Sequence, residues 1–123
     1  MSKKILLVED DQFLSSLLVN RLQKEGLAVT LAINGDEALS RLKEGQFDLI
    51  LLDIILPGKS GFEAMEQIIA SPQYGQTPIF IISNLGQEAD IVRGKELGAK
   101  EYFVKAQTPI DTLVGKIKVF LGV

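Results

Sequence analysis

Carboxylate, hydroxyl and ammonium groups carry the chemistry open to this chain, because it contains no cysteine and no histidine. A thiolate nucleophile, a disulfide and a Cys-based zinc site are excluded, as are Ser-His-Asp and Cys-His catalysis. The polar residues that stand out all follow short apolar runs. Glu9-Asp10-Asp11 follows Ile5 to Val8, Asp53 closes Asp48-Leu49-Ile50-Leu51-Leu52-Asp53, Ser83 closes Pro78-Ile79-Phe80-Ile81-Ile82-Ser83, and Lys105 follows Glu101 to Val104. Clustered carboxylates repel one another unless a cation neutralises them. A hard cation such as Mg2+ takes one or two carboxylates together with waters and phosphate oxygens. A carboxylate can also act as a nucleophile toward phosphorus. A metal, a hydroxyl and an ammonium could then spread over the three equatorial oxygens of the transferred group. The residue set therefore suits phosphoryl transfer, with Asp53 as the attacking carboxylate and Ser83 and Lys105 beside it.

Taken singly, each residue has a plainer explanation. Asp53 reads as a solvated strand-end acid or a helix cap. Glu9-Asp10-Asp11 reads as a charge cluster favoured by a helix dipole. Ser83 reads as a strand-end cap, and Lys105 as a solvent-exposed lysine. The joint occurrence at four strand ends is what favours a site.

The elements that must position these residues follow from periodicity. Runs of apolar residues this short read as strands buried on both faces, as in a parallel sheet. Strands are expected at Lys4–Val8, Leu27–Ile33, Phe47–Asp53, Pro78–Ser83 and Glu101–Val104. Helical spacing is expected over Phe13–Glu25, from Asn34-Gly35-Asp36 to Gly45, and over Gly61–Ala70, Gln87–Leu97 and Asp111–Leu121. Asp11 is the expected cap of the first helix, and Gly26 and Gly98 are stops. Phe62, Met65, Ile68 and Ile69 form the expected inner side of the third helix. Ala89, Val92 and Leu97 form a thin apolar stripe on the fourth, and Leu113, Ile117, Phe120 and Leu121 do so on the fifth. Strand and helix alternate five times, which predicts a parallel sheet with helices on both faces and right-handed crossovers. All the polar strand ends then share one edge, outside which ligands of open α/β sheets bind.

A chain of 123 residues reads as one domain, 1–123, burying about two-thirds of its unfolded surface. The 46% apolar and 24% charged shares are ordinary for a soluble globular protein. Net charge is −3 and no basic run exceeds Lys3-Lys4, which argues against nucleic-acid binding by this domain. No apolar run approaches the ~18 residues needed to span a bilayer. Acids directly after Val8 deny the N-terminus a signal-peptide core. A cytoplasmic location with no membrane contact is the expectation.

Val8-Glu9-Asp10-Asp11, Leu51-Leu52-Asp53-Ile54-Ile55-Leu56-Pro57-Gly58, Ile82-Ser83 and Tyr102-Phe103-Val104-Lys105 resemble the receiver domain of two-component response regulators, of the chemotaxis-regulator type. The resemblance covers essentially the whole chain. It implies a doubly wound, flavodoxin-like three-layer sandwich with strand order 2-1-3-4-5. It implies that Asp53 is the phosphoacceptor. Glu9 and Asp10 match the acid pair for Mg2+, with Asp10 and Asp53 as direct ligands and Glu9 acting mostly through water. The backbone carbonyl of Ile55 matches the third protein ligand. Ser83 matches the switch hydroxyl, Lys105 the phosphate-binding lysine, and Tyr102 the aromatic whose rotamer follows phosphorylation. The implied donor is a sensor histidine kinase or a histidine phosphotransfer protein. The implied output face comprises the fourth helix, fifth strand and fifth helix, where a homodimer is one option. The domain is then a signalling phosphoacceptor rather than an enzyme, standing alone or excised from a longer regulator.

Departures from the family pattern carry expectations of their own. Asn84 stands where a small residue is usual and could narrow access to Asp53. Ala106 follows Lys105 where many members have proline. A cis bond before alanine costs about 2.5–4 kcal/mol, so a trans bond and a differently shaped loop are expected. Ile55 and Leu85 are apolar and cannot orient an attacking water, which predicts a long-lived phosphoryl state. Two rivals remain: a degenerate receiver acting as a phosphorylation-independent scaffold, and an aspartyl-nucleophile phosphatase. All five family positions hold competent groups, against the first. The second acid of an Asp-x-Asp motif is missing after Asp53, against the second.

Overall fold

Apolar runs with no room for a polar face become the strands. The computed structural model describes residues 2–123. Its strands are β1 (Lys4–Val8), β2 (Ala28–Ala32), β3 (Leu49–Leu52), β4 (Ile79–Ser83) and β5 (Glu101–Val104). Its helices are α1 (Gln12–Lys24), α2 (Gly35–Glu44), α3 (Gly61–Ile69), α4 (Glu88–Leu97) and α5 (Ile110–Leu121). All neighbouring strands pair in parallel, in the order β2-β1-β3-β4-β5.

Side chains alternate between the faces of the sheet, and this alternation divides the core in two. Ile5, Leu7, Leu49, Leu51, Phe80 and Ile82 pack with Leu18 and Leu22 of α1 and Leu113, Ile117 and Leu121 of α5. Leu6, Val8, Ile50, Leu52, Ile79 and Ile81 pack with Leu42 of α2 and Phe62, Met65 and Ile68 of α3. Three layers result, with the central strands covered on both sides.

Helix starts are fixed by side chains that accept orphan backbone N–H groups. Asp11 accepts from Phe13 and Leu14, Asn34 from Glu37, and Ser60 from Glu63. Asp11 was legible as a cap, whereas Ser60 read only as loop.

Several expectations need correction. The central strand is shorter than Phe47–Asp53, because its ends are spent on other contacts. Asp48 N–H donates to the Lys4 carbonyl, and its carboxylate accepts from Lys4 N–H at 2.7 Å. Asp53 still donates to the Val8 carbonyl, but its side chain turns back onto the following loop. Ile69 is exposed rather than inward. On α4, Ala89 is exposed and Val92 is 45% exposed, so of the expected stripe only the half-buried Leu97 packs on the core; Gly94 is the helix's only buried residue. Phe120 is 42% exposed, although its ring meets Phe80 edge-on at 4.9 Å.

Among the described residues every peptide bond is trans, including Lys105–Ala106. The loop after β5 is one 3-10 turn, Lys105–Gln107, closed by a hydrogen bond from the Thr108 hydroxyl to the Val104 carbonyl at 2.9 Å.

Leu51 has no exposed surface and sits at the centre of one core layer. Leu51→Ala is expected to lower the unfolding free energy by about 2–5 kcal/mol, read from the midpoint of urea denaturation.

Candidate functional site

β1, β3 and β5 deliver their C-terminal polar residues to one edge of the sheet. Asp53 is 3% exposed. Its Oδ1 accepts from Ile55 N–H at 3.1 Å, and its Oδ2 accepts from Lys105 Nζ at 2.7 Å. Behind it, Gly61 N–H donates to the Ile54 carbonyl at 2.7 Å. A Cβ on Gly61 would overlap the Asp53 carbonyl oxygen and Ile54 Cα, which are backbone atoms that cannot step aside. Gly61 therefore lets α3 seat the acid. In the sequence this glycine marked only the start of the third helix.

Glu9 is 1% exposed. Its Oε2 accepts from Asp11 N–H at 3.0 Å, and its Oε1 lies 2.8 Å from Lys105 Nζ. That second contact is ionic. Oε1 is buried, yet no donor meets it with hydrogen-bond geometry. Asp10 is exposed beside it, and one carboxylate oxygen from each of Glu9, Asp10 and Asp53 can lie within 4.8 Å of the others.

Three carboxylates thus face one ammonium. Burial drives the Glu9 pKa above its ordinary value. Lys105 and the Asp11 N–H pull it down, and the charge of Asp53 pushes it up. Burial also pulls Lys105 down, but its hydrogen bond to Asp53 and its close ion pair with Glu9 outweigh this and hold it above the usual lysine range. A buried carboxylate oxygen lacking a directed donor, among acids that one lysine does not balance, fits a hard divalent cation.

Ser83 is fully buried at the end of β4, and its Oγ accepts from Leu85 N–H at 3.3 Å. Its hydroxyl is thus turned to the loop after β4 rather than to the acids. Tyr102 donates its hydroxyl to the Leu85 carbonyl and is half-buried. Burial raises its phenol pKa, and the charges of Asp90 and Asp53 add to the rise. The backbone of Leu85 therefore holds both groups. Nothing in the spacing of Ser83 and Tyr102 pointed to it.

The model of the response regulator receiver domain family matches residues 5–118. The chain belongs to that family. Its relatives include the phosphate regulon transcriptional regulatory protein PhoB of Rhizobium meliloti, 40% identical over 98% of this chain and 53% of that protein. The transcriptional regulatory protein CpxR of Escherichia coli K12 is 41% identical over 96% of this chain and 49% of its own. The chain thus spans about half the length of these curated relatives. Among solved structures, the BeF3-activated N-terminal receiver domain of Klebsiella pneumoniae RstA aligns with a TM-score of 0.86 and 31% identity, covering 95% of this chain and 97% of that one. The Vibrio cholerae chemotaxis protein CheY4 aligns at 0.88 with 28% identity, covering 97% and 98%.

The flavodoxin-like receiver fold and its strand order are therefore as the resemblance implied. The residues at which this receiver departs from the family pattern can now be placed. Asn84 is exposed, Ile55 is 53% exposed next to Asp53, and Leu85 is half-buried. No helix among the described residues is long and apolar enough to cross a membrane.

The raised Glu9 pKa fixes the sign of a prediction. A carboxyl whose folded pKa lies above its unfolded value favours folding when protonated, and that contribution fades as pH rises through the folded pKa. At neutral pH without divalent metal, Glu9→Gln is therefore expected to raise the melting temperature relative to the parent. Adding Mg2+ should stabilise the parent more than the variant, which keeps Asp10 and Asp53, as calorimetry with and without the ion would show.

Proposed function

We propose that this receiver accepts a phosphoryl group on Asp53 from the phosphohistidine of a sensor histidine kinase or histidine phosphotransfer protein. The observation that carries the reading is Lys105 Nζ lying 2.7 Å from Asp53 and 2.8 Å from Glu9, inside the three-acid cluster. An Asp53 oxygen forms the new P–O bond as the P–N bond to the donor imidazole breaks. The electron pair of the P–N bond leaves on the imidazole, which departs neutral because its other ring nitrogen carries a proton or takes one from water. Lys105 places its charge where the phosphoryl oxygens arrive. Glu9, Asp10, Asp53 and the Ile55 carbonyl are the groups that would hold Mg2+, which supplies charge neutralisation for the transferred group. These 123 residues hold no histidine, so the donor imidazole comes from outside this domain.

Exposed apolar side chains near the same edge support docking of such a protein. Phe13 near the start of α1 is 81% exposed, Ile33 just after β2 is 49% exposed, and Ile55 lies beside Asp53. The location assigned is the cytoplasm.

The same reading includes a switch. Phosphorylation adds charge and acceptors at the sheet edge. The Ser83 hydroxyl turns from Leu85 N–H to the phosphoryl group, and the position of Tyr102 reports the change on the face of α4, β5 and α5. That face is assigned to partner binding, a second copy of the chain among the candidates. Promotion of its own phosphorylation and dephosphorylation is the only catalysis assigned to the domain.

Incubation with Mg2+ and acetyl phosphate, followed by intact mass measurement, tests this directly. A single phosphoryl adduct is expected in the parent and none in Asp53→Asn. Absence of an adduct in the parent would favour a phosphorylation-independent scaffold, and continuous phosphate release would favour a phosphatase. Once formed, the adduct should decay slowly, because the apolar Ile55 and Leu85 offer no group to orient water. Rapid loss from isolated protein overturns that part.

A further inference from the structure

α4 meets the sheet through its one buried residue, Gly94. A Cβ at this position would lie 2.7 Å from Ile81 Cδ1, 2.9 Å from Tyr102 Cδ2 and 3.2 Å from Tyr102 Cε2. Carbon atoms in good contact sit about 3.5–4.0 Å apart, so even a methyl group overlaps both neighbours. The helix itself has no use for glycine here. The residue is interior to α4 and lacks the positive φ that favours glycine, and mid-helix glycine is about 1 kcal/mol less favourable than alanine. The need for it comes from packing.

The two neighbours are not equally free to yield. Ile81 is fully buried on β4, in the layer packed by α2 and α3. Tyr102 is half-buried on β5, the edge strand. Its ring can swing toward solvent at the loss of one hydrogen bond, from its hydroxyl to the Leu85 carbonyl. Surface contacts also tie α4 to α3. Arg93 lies 4.3 Å over the ring of Phe62 and 3.7 Å from Glu66, both on α3.

We propose that Gly94 is the positioning residue for Tyr102: the missing side chain is the space that holds the ring inward, with its hydroxyl on Leu85. The inference rests on the switch assigned above and deepens it. A line of contacts then runs from Gly94 through the Tyr102 ring and hydroxyl to Leu85, whose N–H holds Ser83. A side chain at 94 would leave Asp53 chemistry intact while uncoupling it from the α4–β5–α5 face.

The chain has two tyrosines and no tryptophan, so Tyr74→Phe leaves Tyr102 as the sole emitter of intrinsic fluorescence. In that background, iodide quenching is compared for the parent, Gly94→Ala and Ile81→Val/Gly94→Ala. The double variant removes the Ile81 methyl at 2.7 Å and leaves the Tyr102 ring as the remaining clash. It also covers the case in which the single variant fails to fold. The expected result is a shielded Tyr102 in the parent and loss of that shielding in both variants. Acetyl phosphate should load the same single adduct onto all three proteins, with Tyr102 staying accessible in the loaded variants. Shielding unchanged in the double variant overturns the assignment, since the helix or the core would then have yielded instead. A parent that takes up no phosphoryl group defeats the phosphoacceptor reading, while quenching of the unmodified proteins still decides the role of Gly94.

Discussion

The contact on which the site depends is one lysine held between two buried acids. Lys105 bonds Asp53 and pairs with Glu9, and both acids are almost wholly out of solvent. Two carboxylates this close, in surroundings this dry, repel one another strongly unless a cation lies between them. The sheet order makes the contact demanding. β1 and β3 are neighbours, but β5 lies beyond β4. With strands about 4.8 Å apart, the ammonium must cross roughly two strand spacings to reach Asp53. A long flexible stem is the side chain that can do so. A small residue at the end of β4, Ser83, leaves the path over that strand open.

This arrangement also explains why the acids sit at an edge. Apolar layers on both sheet faces end just beneath them, with Val8 and Leu52 fully buried one residue before Glu9 and Asp53. The strands fix the backbone of each acid through Glu9 N–H to Ala32 and Asp53 N–H to Val8. The side chains then project into the crevice beyond the last ladder bond. Stability is supplied by the layers, and the strained electrostatics are confined to the rim. The Glu9 pKa is raised chiefly by this burial, with the charge of Asp53 adding a smaller push.

Strand identity, the parallel sheet, the Asp11 cap and the gathering of Glu9, Asp10, Asp53 and Lys105 were legible in the sequence. Each follows from short-range patterns plus one topological rule. The features that were not legible depend on contacts between distant segments. Gly61 read only as the start of the third helix, because nothing local reveals that its missing side chain makes room for the Asp53 carbonyl. Gly94 was passed over for the same reason, in favour of Val92, whose apolar character faces solvent. A hydrophobic stripe predicts the buried face of a helix when packing is through side chains. α4 instead lies close to the sheet through a residue without one, so the pattern pointed the wrong way.

Leu85 shows how two groups can be linked without touching. Its N–H belongs to the peptide unit shared with Asn84, and that unit holds Ser83 Oγ. Its carbonyl belongs to the next unit, toward Gly86, and that unit holds the Tyr102 hydroxyl. Releasing Ser83 frees the first unit and leaves the second bonded. Coupling through this backbone passes through the dihedral angles of Leu85 itself. The half-buried side chain of Leu85 packs against the layer that contains Ile81 and Tyr102, which restricts those angles. A loop residue that is apolar, where the site would otherwise welcome a polar group, is thereby explained by its anchoring. That anchoring gives the backbone between Ser83 and Tyr102 something to hold on to.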